Sequence, residues 1–562
     1  MIYNHSIGLR CIGVFACLMQ LSGGLNAAEF AVASAHPLAT KAGMEILANG
    51  GNAFDAAIAV TSTLAVVEPY SSGIGGGGFY LLHQQKQNRQ VMLDARERAP
   101  LKADRDYYLD ANGEVDHDRS MNGATSAGIP GIPAALDYLQ KNYGLLPLKQ
   151  SLSSAIGYAE HGFQIDDTYR RLAKFRLPVL QRFRSTRQSL LRDGEIPELN
   201  SLLKQPDLAR TLRKMGAEGA DGFYRGEVAQ KLVASVQANG GAWSLQDLNQ
   251  YQVVERDPVR FEFGSARFVT ASLPSSGGVV LASIFNMLGI LGYDEAGDSQ
   301  RIHLLVEAMR RAYRDRAAYL GDPDYVEVPV KHLTSEAYAL QLTKGISVLR
   351  ASRSTDIGTI GEEASGNDTT HFSIIDQQGN MVSATLSVNY PFGSGLVAGG
   401  TGVLLNDEMD DFSAKPGEPN AYGLLGSSAN AIQPGKRMLS SMTPAFVHKA
   451  DKSLISGTPG GSRIITMQLL GILEFLHGAS AREIVSLPRF HHQYFPDQIS
   501  FEDGAFDQAT QESLLGLGHE LKQMSHRYGN MQTIIVDHET GKLDAASDPR
   551  GIGSAVVSSD GG

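Results

Sequence analysis

The sequence predicts a layered α+β protein, with sheets packed together and helices outside them. Three observations predict it. Helical periodicity dominates the first part of the chain, strands and helices mix in the last part, and residues 354–368 between them dissolve into Ser, Gly and charge. The 562 residues are 42% hydrophobic and 19% charged, an ordinary globular composition with length for a large core or more than one. A formal charge of -11 leaves no basic footprint, which argues against a nucleic-acid partner.

The elements follow in order. Arg10 precedes the apolar run "CIGVFACLMQLSGGL", and "NAAEF" then supplies small residues. This pattern predicts a signal peptide over residues 1–27, cut near Ala27 or Ala28, and a periplasmic or secreted product. The run is too short to span a membrane comfortably. Both cysteines, Cys11 and Cys17, fall inside it, so the mature chain offers no cysteine nucleophile, disulfide or thiolate metal site. "HPLATKAGMEILANGGNAFDAAIAVTSTLAVVEP" predicts two helices broken at Gly50-Gly51, the second apolar nearly all round and therefore buried. "SSGIGGGGFYLLHQQKQNRQVMLDARERAP" predicts a Gly-rich turn feeding a hairpin, with "FYLLH" and "VMLDA" as strands. Residues 128–163 and "SQRIHLLVEAMRRAYRDRAAYLG" carry helical periodicity. Beyond the linker, "HFSIID" and "MVSATLSV" flank the hairpin signal "QQGN". "SLISGTPGGSRIITMQLLGILEFL" reads as strand, Gly-rich turn and helix, and "MQTIIVD" with "KLDAASDP" as a late hairpin.

The linker ends in "NDTTHFSIID". Scission between Asp368 and Thr369 would give Thr369 both a hydroxyl and a free α-amine. That amine has a reference pKa of about 7.7 to 8.0, so a useful fraction is neutral near pH 7 and can serve as base for its own hydroxyl. His371 shares a strand face with Thr369 but is not aimed at the hydroxyl. Thr369 Oγ1 could make the cut itself by attacking the Asp368 carbonyl, giving an ester that water hydrolyses. "RFHHQ" invites a metal reading. However, His491 and His492 are adjacent and fall on opposite faces of a strand, which favours a structural role.

The processing site and a series of blocks in order, "HPLATKAG", "GGNAFDAAIA", "EPYSSGIGGGGF", "DARERAP", "SLPSSGG", "YLGDPDY", "NDEMDDFS", "MLSSMTP", "GTPGGSRII" and "ASDPR", resemble the γ-glutamyltranspeptidases, which are N-terminal-nucleophile hydrolases. The resemblance covers nearly all of the mature chain. It implies a four-layer αββα sandwich formed by a large subunit, residues 28–368, and a small subunit, residues 369–562, cut from one precursor and remaining associated. It implies that Arg96 holds a substrate α-carboxylate, helped by Ser440 and Ser441. A planar guanidinium fork suits that role. Asp411 would pair with the α-ammonium, with Glu408 and Asn389 beside it. Gly460 and Gly461 would supply oxyanion-hole N–H groups. Tyr422 would gate the pocket from a lid loop, contacting Asn389. Ser387 stands where many members carry threonine, beside the nucleophile and involved in processing; its hydroxyl survives but a methyl is lost. The neighbouring glycine-rich turns lack the endings of phosphate or dinucleotide loops.

The resemblance implies an exported, self-processing γ-glutamyltransferase and glutathione hydrolase that needs no cofactor or metal. Its partners would be a γ-glutamyl donor such as glutathione and an amino-acid or peptide acceptor. Two alternatives stand beside it: a cephalosporin or glutaryl acylase of the same fold, and an unprocessed protein that only binds γ-glutamyl compounds.

Overall fold

The computed structural model describes residues 29–357, 369–418, 420 and 423–558. The predicted leader, Asp368 and Tyr422 lie outside the described residues. The two predicted N-terminal helices form as α1, Pro37–Ala48, and α2, Ala53–Val67. Asn52 and Asp55 close a capping box at the start of α2, and every residue of that helix is buried. The later helices that matter for the site are α3, Gly277–Ile290, α4, Asp298–Tyr319, and α5, Ile464–Leu476.

Thirteen of the strands make two antiparallel sheets. They are β1 Ala31–Ser34, β2 Gly77–Gln84, β3 Arg89–Ala95, β4 Val254–Arg256, β5 Val259–Phe263, β6 Ala266–Thr270 and β7 Thr370–Ile375. The rest are β8 Met381–Ser387, β9 Ala445–His448, β10 Lys452–Gly457, β11 Gln532–Asp537, β12 Leu543–Ser547 and β13 Ser554–Val557. One sheet runs β13-β1-β7-β8-β2-β3-β4, and the other β12-β11-β10-β9-β6-β5. The predicted hairpins β2–β3, β7–β8 and β11–β12 all pair antiparallel.

Apolar clustering explains the packing. One cluster joins α1 and α2 to the first sheet through Val32, Tyr80, Leu93 and Ile374. A second joins α3, α4 and α5 to the other sheet through Phe268, Val447 and Leu454. A third, with Phe79, Leu81, Met92, Val269, Phe446 and Ile455, draws residues from both sheets. Hydrogen bonds cross there too: Ser373 Oγ donates to Gln532 O at 3.0 Å and Ser383 Oγ to Ser456 O at 3.0 Å.

The glycine run before β2 serves close backbone approach, since a Cβ on Gly76 would lie 2.1 Å from the Ser387 carbonyl oxygen. Thr369 and Ser387 emerge at the same end of the β7–β8 hairpin, where Thr370 pairs with Leu386.

Candidate active site

Thr369 is buried at the mouth of β7. The next residue, Thr370, donates its hydroxyl to Glu68 Oε2 at 2.7 Å, and Glu68 caps the C-terminus of α2. The buried helix thereby anchors the start of the strand. Thr369 Oγ1 lies 3.5 Å from Ser387 Oγ. Ser387 Oγ accepts the Asn389 N–H at 2.7 Å, so its own hydrogen is available to a neighbouring acceptor, and it is hydrogen-bonded to Glu408. Asn389 adopts φ 78°, a left-handed conformation that asparagine tolerates, and its Nδ2 donates to Asp407 O at 3.1 Å.

Arg96 follows directly on β3 and is fully buried. Its Nη1 donates to Glu408 Oε2 at 2.5 Å and its Nη2 to Asp411 Oδ2. Glu97 Oε2 lies 3.7 Å from the same Nη1. One guanidinium therefore faces three carboxyl groups. Burial, and then the nearby Glu408, push the Glu97 carboxyl well above the usual range. Burial also pushes Glu408 up to about 7, against the pull of Arg96. This surplus of acid over base is an environment that welcomes an added ammonium. Ser440 Oγ accepts the Met442 N–H at 3.1 Å, which leaves its hydrogen to donate to an anion.

The turn between β10 and α5 holds Gly460 at φ 142° and Gly461 at φ 56°, followed by a short helical turn, Gly461–Arg463. That backbone is open to glycine and strained for other residues.

Thr369 borders two cavities. The first has room for about 20 Å³ and is lined by every sequence-predicted residue that the structure describes except Gly460. It is small because Arg96 bonds directly to Glu408 and Asp411. The second, about 190 Å³, opens on the other side of Thr369 and is lined by Gly460, Tyr70, His526 and Asn530 among others.

His371 turns into the layer between the sheets, where its Nδ1 meets Thr385 Oγ1 at 2.9 Å and burial holds its pKa down at about 3. It is no base for Thr369. His491 bonds Thr466 and Gln493, whereas His492 bonds Asp497, so the two rings serve different partners. Among the described residues, His303, Glu307 and His519 stand close enough to share one cation. Most of their donor atoms are already committed: His303 Nδ1 meets His519 Nε2 at 2.8 Å, and Glu307 pairs with Arg311 at 2.6 Å and Arg310 at 3.5 Å. Two guanidiniums at that carboxylate oppose a divalent ion.

Several contributors escaped the sequence reading, Glu97 beside Arg96 among them. Asn420 Nδ2 donates to Asp411 Oδ1 at 3.1 Å. Leu424 lines the small cavity. Arg316 sits behind Ser441. Asn420 and Leu424 had a signal, since both lie in the stretch "PNAYGLLGSSANAI", residues 419–432, which the family resemblance marks as the lid loop.

The γ-glutamyltranspeptidase family profile matches residues 39–558. The chain belongs to this family. A glutathione hydrolase proenzyme of Pseudomonas sp. strain A14 is 43% identical over 87% of this chain and 86% of its own. The glutathione hydrolase proenzyme of Escherichia coli K12 is 38% identical over 94% and 91%. Among solved structures, cephalosporin acylase from Bacillus halodurans superposes with a TM-score of 0.83 at 28% identity, covering 94% of this chain and 96% of its own. Membership makes this protein an enzyme of the γ-glutamyltranspeptidase type that is made as a proenzyme, with a mixed helix-and-sheet fold shared with the acylases. No described helix is long and apolar enough to cross a membrane.

Proposed function

We propose that this protein is an exported γ-glutamyltransferase and glutathione hydrolase that cuts itself before Thr369. Its two fragments would then form one four-layer αββα unit, residues 28–368 with residues 369–562. The observation that carries the reading is the ion pair between Arg96 and Asp411 beside Thr369. An amino-acid head brings one carboxylate and one ammonium. Inserted between the two side chains, it exchanges one ion pair for two: its carboxylate takes Arg96, Ser440 and Ser441, and its ammonium takes Asp411 and Glu408. Both α-groups are then engaged, and only the side-chain carbonyl faces the nucleophile.

The free amine of Thr369 takes the proton from Oγ1, which attacks that carbonyl. The developing oxyanion points at the Gly460–Gly461 turn, where one well-aimed N–H contributes about 3 kcal/mol. The protonated amine returns its proton to the leaving nitrogen, and a γ-glutamyl ester remains on Thr369. Water releases glutamate, or the amine of an amino acid or peptide takes the group. In the precursor the amine is absent, and Ser387, 3.5 Å from Oγ1 and hydrogen-bonded to Glu408, offers a route for that proton.

Release of p-nitroaniline from γ-glutamyl-p-nitroanilide by the wild type, abolished in Thr369→Ala, tests the reading; equal release from both would refute it. The likeness to a cephalosporin acylase favours glutaryl-type amides as a second reading. Inhibition by free glutamate but not by glutarate separates the two. A single uncut band on a denaturing gel would instead favour a protein that only binds these compounds.

A further inference from the structure

We infer that Arg316 is a positioning residue for the substrate α-carboxylate, acting through the hydroxyl of Ser441. The inference rests on the γ-glutamyl reading of the pocket and adds to it a residue that does not line the cavity.

Arg316 lies in the last turn of α4 and is 4% exposed. Its Nη2 donates to Ser441 Oγ at 3.0 Å and its Nε to Ser276 Oγ at 2.9 Å. Ser276 in turn holds the Ser440 carbonyl twice, through Oγ at 2.7 Å and through N–H at 2.8 Å. One side chain thus fixes both members of the Ser440-Ser441 pair.

Two features make this more than packing. First, a guanidinium has donors only. Ser441 Oγ must accept from it, so the hydroxyl hydrogen is turned away from Arg316 and offered to whatever enters the cavity. Ser440 Oγ is polarised the same way by the Met442 N–H. Two hydroxyls whose hydrogens are left free to donate, next to Arg96, make a receptor suited to a carboxylate. Second, Arg316 is a buried cation with no carboxylate within ion-pair distance among the described residues, in contrast to its helix neighbours Arg310, Arg311 and Arg314. Burial pulls its pKa down to about 10, and Asp411 is among the groups that pull it back up. A buried charge held by neutral oxygens is costly and is relieved by an anion nearby. The substrate carboxylate on Ser441 is that anion, one hydroxyl away.

The test compares two donors in one preparation: γ-glutamyl-p-nitroanilide, and 4-aminobutyryl-p-nitroanilide, which lacks the α-carboxylate. The ratio of their kcat/KM values does not depend on how much of a variant is folded or processed. Wild type favours the carboxylate donor strongly. In Arg316→Gln that preference falls about tenfold or more, through KM rather than kcat, as expected for a lost charge-assisted hydrogen-bond relay. Arg316→Lys keeps the cation and recovers part of it. On a Ser441→Ala background, Arg316→Gln has a smaller effect than it has alone, the remainder passing through Ser276 to Ser440. An unchanged preference in Arg316→Gln, or effects of Arg316→Gln and Ser441→Ala that simply multiply, overturns the inference while leaving the pocket reading intact. A wild type with no preference between the donors overturns the pocket reading and this inference with it. If Arg316→Gln yields no soluble protein, the Arg316→Lys ratio decides alone, with a wild-type value counting against the role.

Discussion

Replacing Asp411 by asparagine should shift the donor preference away from γ-glutamyl groups as well as weaken their binding. In the resting site Asp411 Oδ2 accepts from Arg96 Nη2, and Oδ1 accepts from Asn420 at 3.1 Å. A γ-glutamyl donor breaks the Arg96–Asp411 pair and forms two new ones. In Asp411→Asn the donor still gains Arg96, but its ammonium enters a buried pocket with Glu408 as its only strong partner. An underpartnered charged group of this kind costs about 2 kcal/mol, or roughly 30-fold in KM, with kcat little changed. A glutaryl donor has no ammonium. In the wild type it must break the same pair and leave Asp411 buried without a cation, a penalty the asparagine removes. The ratio of kcat/KM for γ-glutamyl-p-nitroanilide over glutaryl-p-nitroanilide should therefore fall by on the order of 100-fold, with both terms contributing. Steady-state kinetics with the two anilides measure it directly. If both donors shift by the same factor, the exchange of ion pairs is the wrong account of this pocket.

Ser387→Ala should slow self-cleavage by roughly tenfold or more while Ser387→Thr does not, followed as conversion of the full-length band to two fragments. Glu408, held at about 7, should give kcat/KM an ionisation near neutrality that rises with pH, because the carboxylate form faces the ammonium; Glu408→Gln should remove it and leave that of the Thr369 amine. The same raised value has a stability consequence. Glu408 binds a proton more tightly in the folded state than in the unfolded chain, so its contribution is full below about 4.3 and is lost as pH rises through 7. The thermal midpoint of the wild type should accordingly fall, relative to Glu408→Gln, between pH 5 and pH 8. Gly457→Ala should lower stability by about 2 kcal/mol, seen as a lower denaturation midpoint, because its Cβ would lie 2.1 Å from the fully buried His371 ring.

How legible such a site is depends on whether its parts are local. The α1–α2 break, the all-round burial of α2 and the β7–β8 and β11–β12 hairpins follow from patterns a few residues long, and the structure contains them. Each motif also carried its own chemistry, an arginine here and an acidic turn there. The partnerships were not readable from pattern alone, because Arg96 and Asp411 are 315 positions apart and meet only when the end of β3 and the helical turn Glu408–Asp411 come together in the fold. Helix α4 shows the limit most clearly. Its periodicity marks it as a helix, and its charges would ordinarily be assigned to a solvated face, yet Glu307, Arg310, Arg311, Asp315 and Arg316 are all buried. Glu307 pairs with Arg310 and Arg311 within the helix at i,i+3 and i,i+4, a pairing that spacing could have suggested, whereas Arg314 pairs with its chain neighbour Asp315, which spacing does not suggest. Arg316 has no such partner within its own helix, and its two bonds go to serines 40 and 125 positions away. A buried cation that local pairing fails to explain is therefore the kind of residue to examine for a ligand, because the charge that balances it need not belong to the protein at all.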